Sequence, residues 1–278
     1  YVKKHNRVAD AMWKADPKAQ LVGVGAVGKW SQTMLSVCQE HMNLLSEHIY
    51  CKEKTNVLDH VRQLSNEIKR VAEAHRRYRR EIPQLAGKDI RLAMDEWNYW
   101  YGQYLYGELG VRYFLKDALG VGLGLHEYFR NSDLYFMANY AQTVNVIGAI
   151  KTTPTASAFE TTGLALKLYR KEFGTIPVEV TGKSGNLDIA AAWTSDKKAI
   201  TVAIVNPQAA AEQVMVDLGP AKLGANAKRW LITGAGPQSY NEPGKAPTVV
   251  IQEERTTVKG GLLAVPPFSV VLYRLDAR

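Results

Sequence analysis

The sequence predicts an α/β region of parallel βα repeats followed by an all-β region built as an antiparallel sandwich. Two observations carry that reading. Up to about residue 174, stretches with helical apolar spacing alternate with short apolar runs, in the order helix then strand, four times over. Beyond Gly174-Thr175-Ile176-Pro177 the helical spacing stops, and short β-rich runs separated by turn residues take over. The expected division is therefore 1–174 and 175–278.

In chain order, Val2, His5, Val8, Ala9, Met12 and Trp13 lie on one helical face, and Asp16-Pro17 ends that helix. Leu21-Val22-Gly23-Val24 reads as a short buried strand that runs into Gly23-Val24-Gly25-Ala26-Val27-Gly28. This run matches G-x-G-x-x-G ahead of a helix, and Glu47 stands near where a ribose-binding acid would be. A nicotinamide site is thus one reading. Against it, Lys29-Trp30 crowds the place where pyrophosphate would approach, and small residues at a strand exit explain the glycines as well.

A helix from about Gln32 to Glu40 leads to a strand from Met42 to Tyr50. The next helix shows Val57, Leu58, Val61, Leu64, Ile68, Val71, Ala72 and His75 on one face, with Asn56 or Thr55 as its cap. Pro83 and Gly87 punctuate the connection to a strand from Asp89 to Met94. The stretch Val111 to Arg130 has helical spacing but carries Gly120, Gly122 and Gly124, which leaves a continuous and a broken helix both open. Met137 to Ile150 reads as a strand and its exit, and Thr161 to Phe173 as a helix. Sandwich strands follow at Leu187–Trp193, Ala199–Val205, Val214–Leu218, Arg229–Ile232, Thr248–Ile251 and Val265–Leu275.

The chain has 278 residues, 46% of them apolar, and no run approaches the roughly 18 apolar residues of a membrane span. Cys38 and Cys51 are too few for a disulfide framework and lack zinc-site spacing. Part of the formal charge of +8 sits in His75-Arg76-Arg77-Tyr78-Arg79-Arg80. That cluster reads as the solvated last turn of a helix rather than a nucleic-acid site. The first residue is Tyr1, no signal-peptide core follows it, and targeting cannot be read.

The chemistry centres on Asp95-Glu96-Trp97-Asn98-Tyr99-Trp100, read as a polar and aromatic exit from the strand before it. These residues resemble the nucleophile motif of glycoside hydrolase family 51, the α-L-arabinofuranosidases. Ser46-Glu47-His48-Ile49-Tyr50 upstream and Met137-Ala138-Asn139-Tyr140-Ala141-Gln142-Thr143-Val144-Asn145-Val146 downstream agree with that family in order and spacing. The resemblance implies that the four repeats are the C-terminal half of a (β/α)₈ TIM barrel, followed by the sandwich.

It also implies a retaining glycosidase without metal or other cofactor, removing terminal arabinofuranosyl units from arabinose-containing saccharides. Glu96 is then the nucleophile. Tyr50 and His48 are donors that keep it ionised, Gln142 contacts a sugar hydroxyl, and Trp100 walls the sugar pocket. Asp95 alternates with Glu96 and is expected to face away as a structural partner. As structural residues, His48 and Tyr50 would be strand-end core and Gln142 a backbone-bonded amide.

The family's acid/base is the Glu of an Asn-Glu pair at a strand end. Here Asn66-Glu67 falls mid-helix and Asn241-Glu242 in a sandwich loop. Glu47 and Glu127 stand near strand ends but do not match. The acid is therefore expected upstream of Tyr1, and the first half of the barrel is expected from the same gene product or a companion chain. The expected partners are a saccharide and that missing half, with neither nucleic acid nor membrane, and with self-association open. The alternatives are an endo-β-glucanase or xylanase of the same superfamily, and a non-catalytic carbohydrate-binding fragment.

Overall fold

The structure, a computed structural model, describes residues 1–102, 104, 109–219 and 223–277. They form two compact units: Tyr1–Tyr50, Asn66–Asn98 and Asn131–Ala141 in the first, and Cys51–Ser65, Tyr99–Arg130 and Gln142–Arg278 in the second.

The first unit carries helix α1 (Val2–Ala15), strand β1 (Val22–Gly23), helix α2 (Lys29–Val37), most of strand β2 (Leu44–Cys51), the greater part of helix α3 (Val57–Glu81), strand β3 (Arg91–Tyr99) to Asn98, and strand β4 (Tyr135–Tyr140). Its sheet runs in the order β1-β2-β3-β4, and the β1–β2 and β3–β4 pairs are parallel. The apolar stripe read from the sequence of α3 is the buried one: Ile68 and Val71 are lost from solvent, while Glu73 and Arg77 stay outside. Met34, Leu35, Cys38, Met42, Leu45, Ala74, Tyr78, Ile82 and Leu85 form the core between α2, α3 and β2.

β3 is longer than its apolar run. It continues through the polar motif to Tyr99, because Trp97 still pairs with Tyr140, past a register irregularity between Met94 and Trp97. The motif is therefore strand rather than exit.

The glycine-rich run between β1 and α2 is closed by the protein itself. Val27 N–H donates to Glu47 Oε2 (2.9 Å), Ser31 Oγ to Glu47 Oε1 (2.8 Å), and His75 Nε2 sits 2.8 Å from the same oxygen. Gly25, Ala26 and Gly28 N–H groups donate to Ser46 Oγ, Ser31 Oγ and the Tyr78 hydroxyl. A Cβ on Gly25 would lie 1.9 Å from the Ser46 carbonyl oxygen, so close packing on β2 explains that glycine. The amides that would cradle a pyrophosphate are already bonded, and Glu47, 2% exposed, is not available to a ribose.

The second unit holds helix α4 (Leu115–Arg130), a hairpin of β5 (Ile150–Thr152) and β6 (Ser157–Phe159), helix α5 (Thr161–Glu172) and eight strands: β7 (Ile176–Val178), β8 (Asp188–Trp193), β9 (Ala199–Asn206), β10 (Glu212–Met215), β11 (Leu223–Thr233), β12 (Val250–Thr257), β13 (Leu262–Val265) and β14 (Ser269–Ala277). The sandwich is a six-stranded sheet, β12-β11-β14-β9-β8-β7, with a two-stranded β10-β13 sheet, all antiparallel. Ile200, Val202 and Ile204 of β9 and Val271, Tyr273 and Leu275 of β14 face its core together with Leu263 and Val265 of β13.

The run expected from Val265 to Leu275 is two strands separated at Pro266-Pro267, as the missing proline N–H groups require. α4 is continuous through its glycines. A Cβ at Gly120 would overlap the Tyr99 hydroxyl at 1.9 Å, so the ring takes the space that a side chain would need. Asp59 N–H donates to Asn56 Oδ1 (3.1 Å), which makes Asn56 rather than Thr55 the cap of α3.

Glu47→Leu leaves a buried histidine, a hydroxyl and an amide without their acceptor. Chemical denaturation should show a loss of about 3–5 kcal/mol, and a change under about 1 kcal/mol would remove Glu47 as the anchor of β2.

Candidate active site

Alternation along β2 sorts its side chains into two sets. Leu45, Glu47 and Ile49 are buried with the helices, whereas His48 and Tyr50 share the other face with Ser46, and His48 is exposed. Glu96, on the neighbouring strand β3, meets this second set. The Tyr50 hydroxyl donates to Glu96 Oε2 at 2.6 Å, the length of a charge-assisted bond. His48 Nδ1 lies 3.7 Å from the same oxygen. The Glu96 side chain keeps 46% of its exposure, so the carboxylate is bonded by Tyr50 on one side and open on the other.

Partial burial pushes the Tyr50 phenol above its ordinary range, and the hydrogen bond and charge of Glu96 push it further. Tyr50 therefore stays a proton donor to Glu96 throughout the neutral range.

Asp95 and Glu96 are both half-buried on β3. Burial raises the Asp95 pKa, the neighbouring His48 opposes the rise, and the charge of Glu96 adds to it.

Trp97 and Asn98, motif residues without an assigned role, tie β3 to β4. The Trp97 ring meets Tyr140 edge-on at 5.5 Å, and Asn98 Nδ2 donates to the Ala141 carbonyl at 2.6 Å.

The other two expected site residues belong to the second unit. Trp100 is half-buried, and its backbone N–H donates to the Cys51 carbonyl at 2.9 Å. Gln142 is exposed, with side-chain Nε2 donating to the Val144 carbonyl at 3.1 Å and its backbone carbonyl accepting from Ala149 N–H at 3.0 Å. The two carboxylates considered as substitutes for the acid are engaged elsewhere. Glu47 is buried in its network, and Glu127, 9% exposed, pairs with Arg130 at 3.1 Å. Among the described residues, no group of three or more His, Cys, Asp or Glu is placed to hold a metal ion.

The sequence profile of the α-L-arabinofuranosidase C-terminal domain matches residues 95–269, more than half of the chain. The chain belongs to that family. An intracellular exo-α-(1→5)-L-arabinofuranosidase of Streptomyces lividans is 26% identical over 71% of this chain and 35% of its own length. One of the same description from Acetivibrio thermocellus is 29% identical over 54% of this chain and 35% of its own length.

The crystal structure of an α-L-arabinofuranosidase of Thermotoga maritima, an arabinose complex, superposes with a TM-score of 0.87 at 22% identity, over 99% of this chain and 61% of that one. That likeness bears on the fold: the α/β strands and helices form the C-terminal half of a (β/α)₈ barrel, and the β-sandwich follows. The chain spans less than half the length of these two curated relatives.

Replacing the carboxylate by an amide removes the charge that opposes ionisation of Tyr50. In Glu96→Gln the Tyr50 phenol should titrate at lower pH than in the parent, read by ultraviolet difference absorbance against a Tyr50→Phe control. An unchanged titration would separate the two groups.

Proposed function

We propose that this chain is the C-terminal portion of a retaining α-L-arabinofuranosidase with Glu96 as its nucleophile. The observation that carries the reading is the 2.6 Å bond from Tyr50 to a half-open carboxylate on the adjacent strand. Membership of the arabinofuranosidase family and the names of the relatives supply the substrate class, a terminal arabinofuranosyl unit of an arabinose-containing saccharide. On this reading residues 1–174 belong to the catalytic barrel and residues 175–278 form the β-sandwich domain.

A retaining glycosidase forms a bond between one carboxylate and the anomeric carbon while a second carboxyl group protonates the leaving oxygen. Water then reverses the first step, and the configuration is kept. The nucleophile has to be ionised and has to release the sugar afterwards. A donor on one oxygen serves both needs: it stabilises the free carboxylate and the partial charge that returns to it as the glycosyl–enzyme bond breaks. Tyr50 supplies that donor, and His48 adds a partner for the same oxygen. Gln142 and Trp100 serve the sugar, as hydroxyl contact and pocket wall. The second carboxyl group comes from the part of the relatives that this chain does not span.

The full-length gene product should hydrolyse p-nitrophenyl α-L-arabinofuranoside, with retention visible by proton NMR of the first-formed sugar. Glu96→Ala should lower kcat by at least about 1,000-fold, and Tyr50→Phe by about 100-fold. Near-parental activity of Glu96→Ala would remove the nucleophile assignment. Absence of turnover by the parent would favour a binding fragment.

A further inference from the structure

Lys151 is fully buried on β5, an unusual place for an ammonium group. Its Nζ donates to the carbonyls of Val146 (2.9 Å) and Gly148 (3.2 Å). Between them the Ile147 carbonyl lies 3.2 Å from the hydroxyl of Tyr113, whose ring sits 5.4 Å below Nζ. The carbonyls on either side of Ile147 are thus turned inward onto the buried ammonium group, while the Tyr113 hydroxyl lies closer to the Tyr99 carbonyl, at 2.6 Å. Val111 N–H gives Val146 O a second donor at 2.8 Å.

The backbone that achieves this is strained. Asn145 and Val146 have φ of +54° and +46°. Asn tolerates that region, but a β-branched residue does not adopt it without support. The support comes from the donors just named, and Lys151 reaches two carbonyls of the turn itself. Glu160, whose Oε2 accepts from Tyr113 N–H, provides the negative charge that partly offsets the burial of Lys151.

The same turn begins at Gln142. The Gln142 and Thr143 carbonyls accept from Ala149 and Ile150, and the Gln142 amide rests on Val144 O. The position of that amide therefore depends on a turn that Lys151 holds shut.

We propose that Lys151 is a positioning residue for substrate binding: by clamping the Val146 and Gly148 carbonyls it maintains the left-handed Asn145–Val146 turn that presents Gln142 to the sugar. This rests on the arabinofuranosidase reading above.

The test is a double-mutant cycle in the full-length gene product with p-nitrophenyl α-L-arabinofuranoside, together with hydrogen exchange. Gln142→Ala and Lys151→Met should each raise KM roughly tenfold while kcat changes much less, and the double variant should be no worse than the poorer single one. Exchange at the Asn145, Ala149 and Ile150 amides should accelerate in Lys151→Met and recover in part in Lys151→Gln, which keeps a donor. Multiplicative effects, an unchanged KM, or unchanged exchange would overturn the proposal. If Lys151→Met does not fold, Lys151→Gln carries the same comparisons, and failure of both to fold assigns Lys151 to the general core and overturns it. A parent without arabinofuranosidase activity but with the expected exchange pattern would refute the enzymatic reading while leaving the clamp in place. In that case presentation of Gln142 to a sugar is withdrawn.

Discussion

The bond between the Tyr50 hydroxyl and Glu96 ties β2 to β3 in the first unit. At 2.6 Å it tolerates little slip between two strands, so each strand has to be fixed against something else. β2 is fixed from its buried face, where Glu47 gathers the α2 loop, Ser31 and His75 of α3. β3 is fixed from its far side, where Trp97 and Asn98 bind the end of β4. Side chains one position apart on β2 thus have opposite duties. Glu47 satisfies the scaffold, and His48 faces Glu96.

Much of this was legible because the relevant signals are local. The stripe on α3 follows from 3.6 periodicity, and its positions Val61, Leu64, Ile68, Val71, Ala72 and His75 are buried as read. The motif from Asp95 to Trp100 and its spacing from His48 and Tyr50 pointed to the carboxylate that the fold brings against Tyr50.

What escaped the reading depends on distant partners. β3 runs on through polar residues because β4 offers it a pairing edge, and no periodicity within residues 91–99 records that. The glycines of α4 look like breakers until Tyr99 is seen to occupy the space beside Gly120. Lys151 gave no signal, since nothing in the residues around it marks a lysine as buried, and its meaning lies in carbonyls presented by a turn that the sequence read only as the tail of a strand. The G-x-G-x-x-G run is the opposite case: a conspicuous pattern whose amides are spent on Ser46, Glu47, Ser31 and Tyr78.

That last arrangement bears on how such a scaffold can be altered. The loop after β1 is not a free ornament at the rim, because its shape is dictated by side chains from β2, α2 and α3, more than forty positions further on in the case of Tyr78. Transplanting the loop alone into another barrel would carry the glycines and leave behind what they lean on. Residues 46, 47, 75 and 78 have to travel with it, and a combinatorial library that diversifies residues 23–28 while freezing those four explores shapes that their fixed acceptors reject.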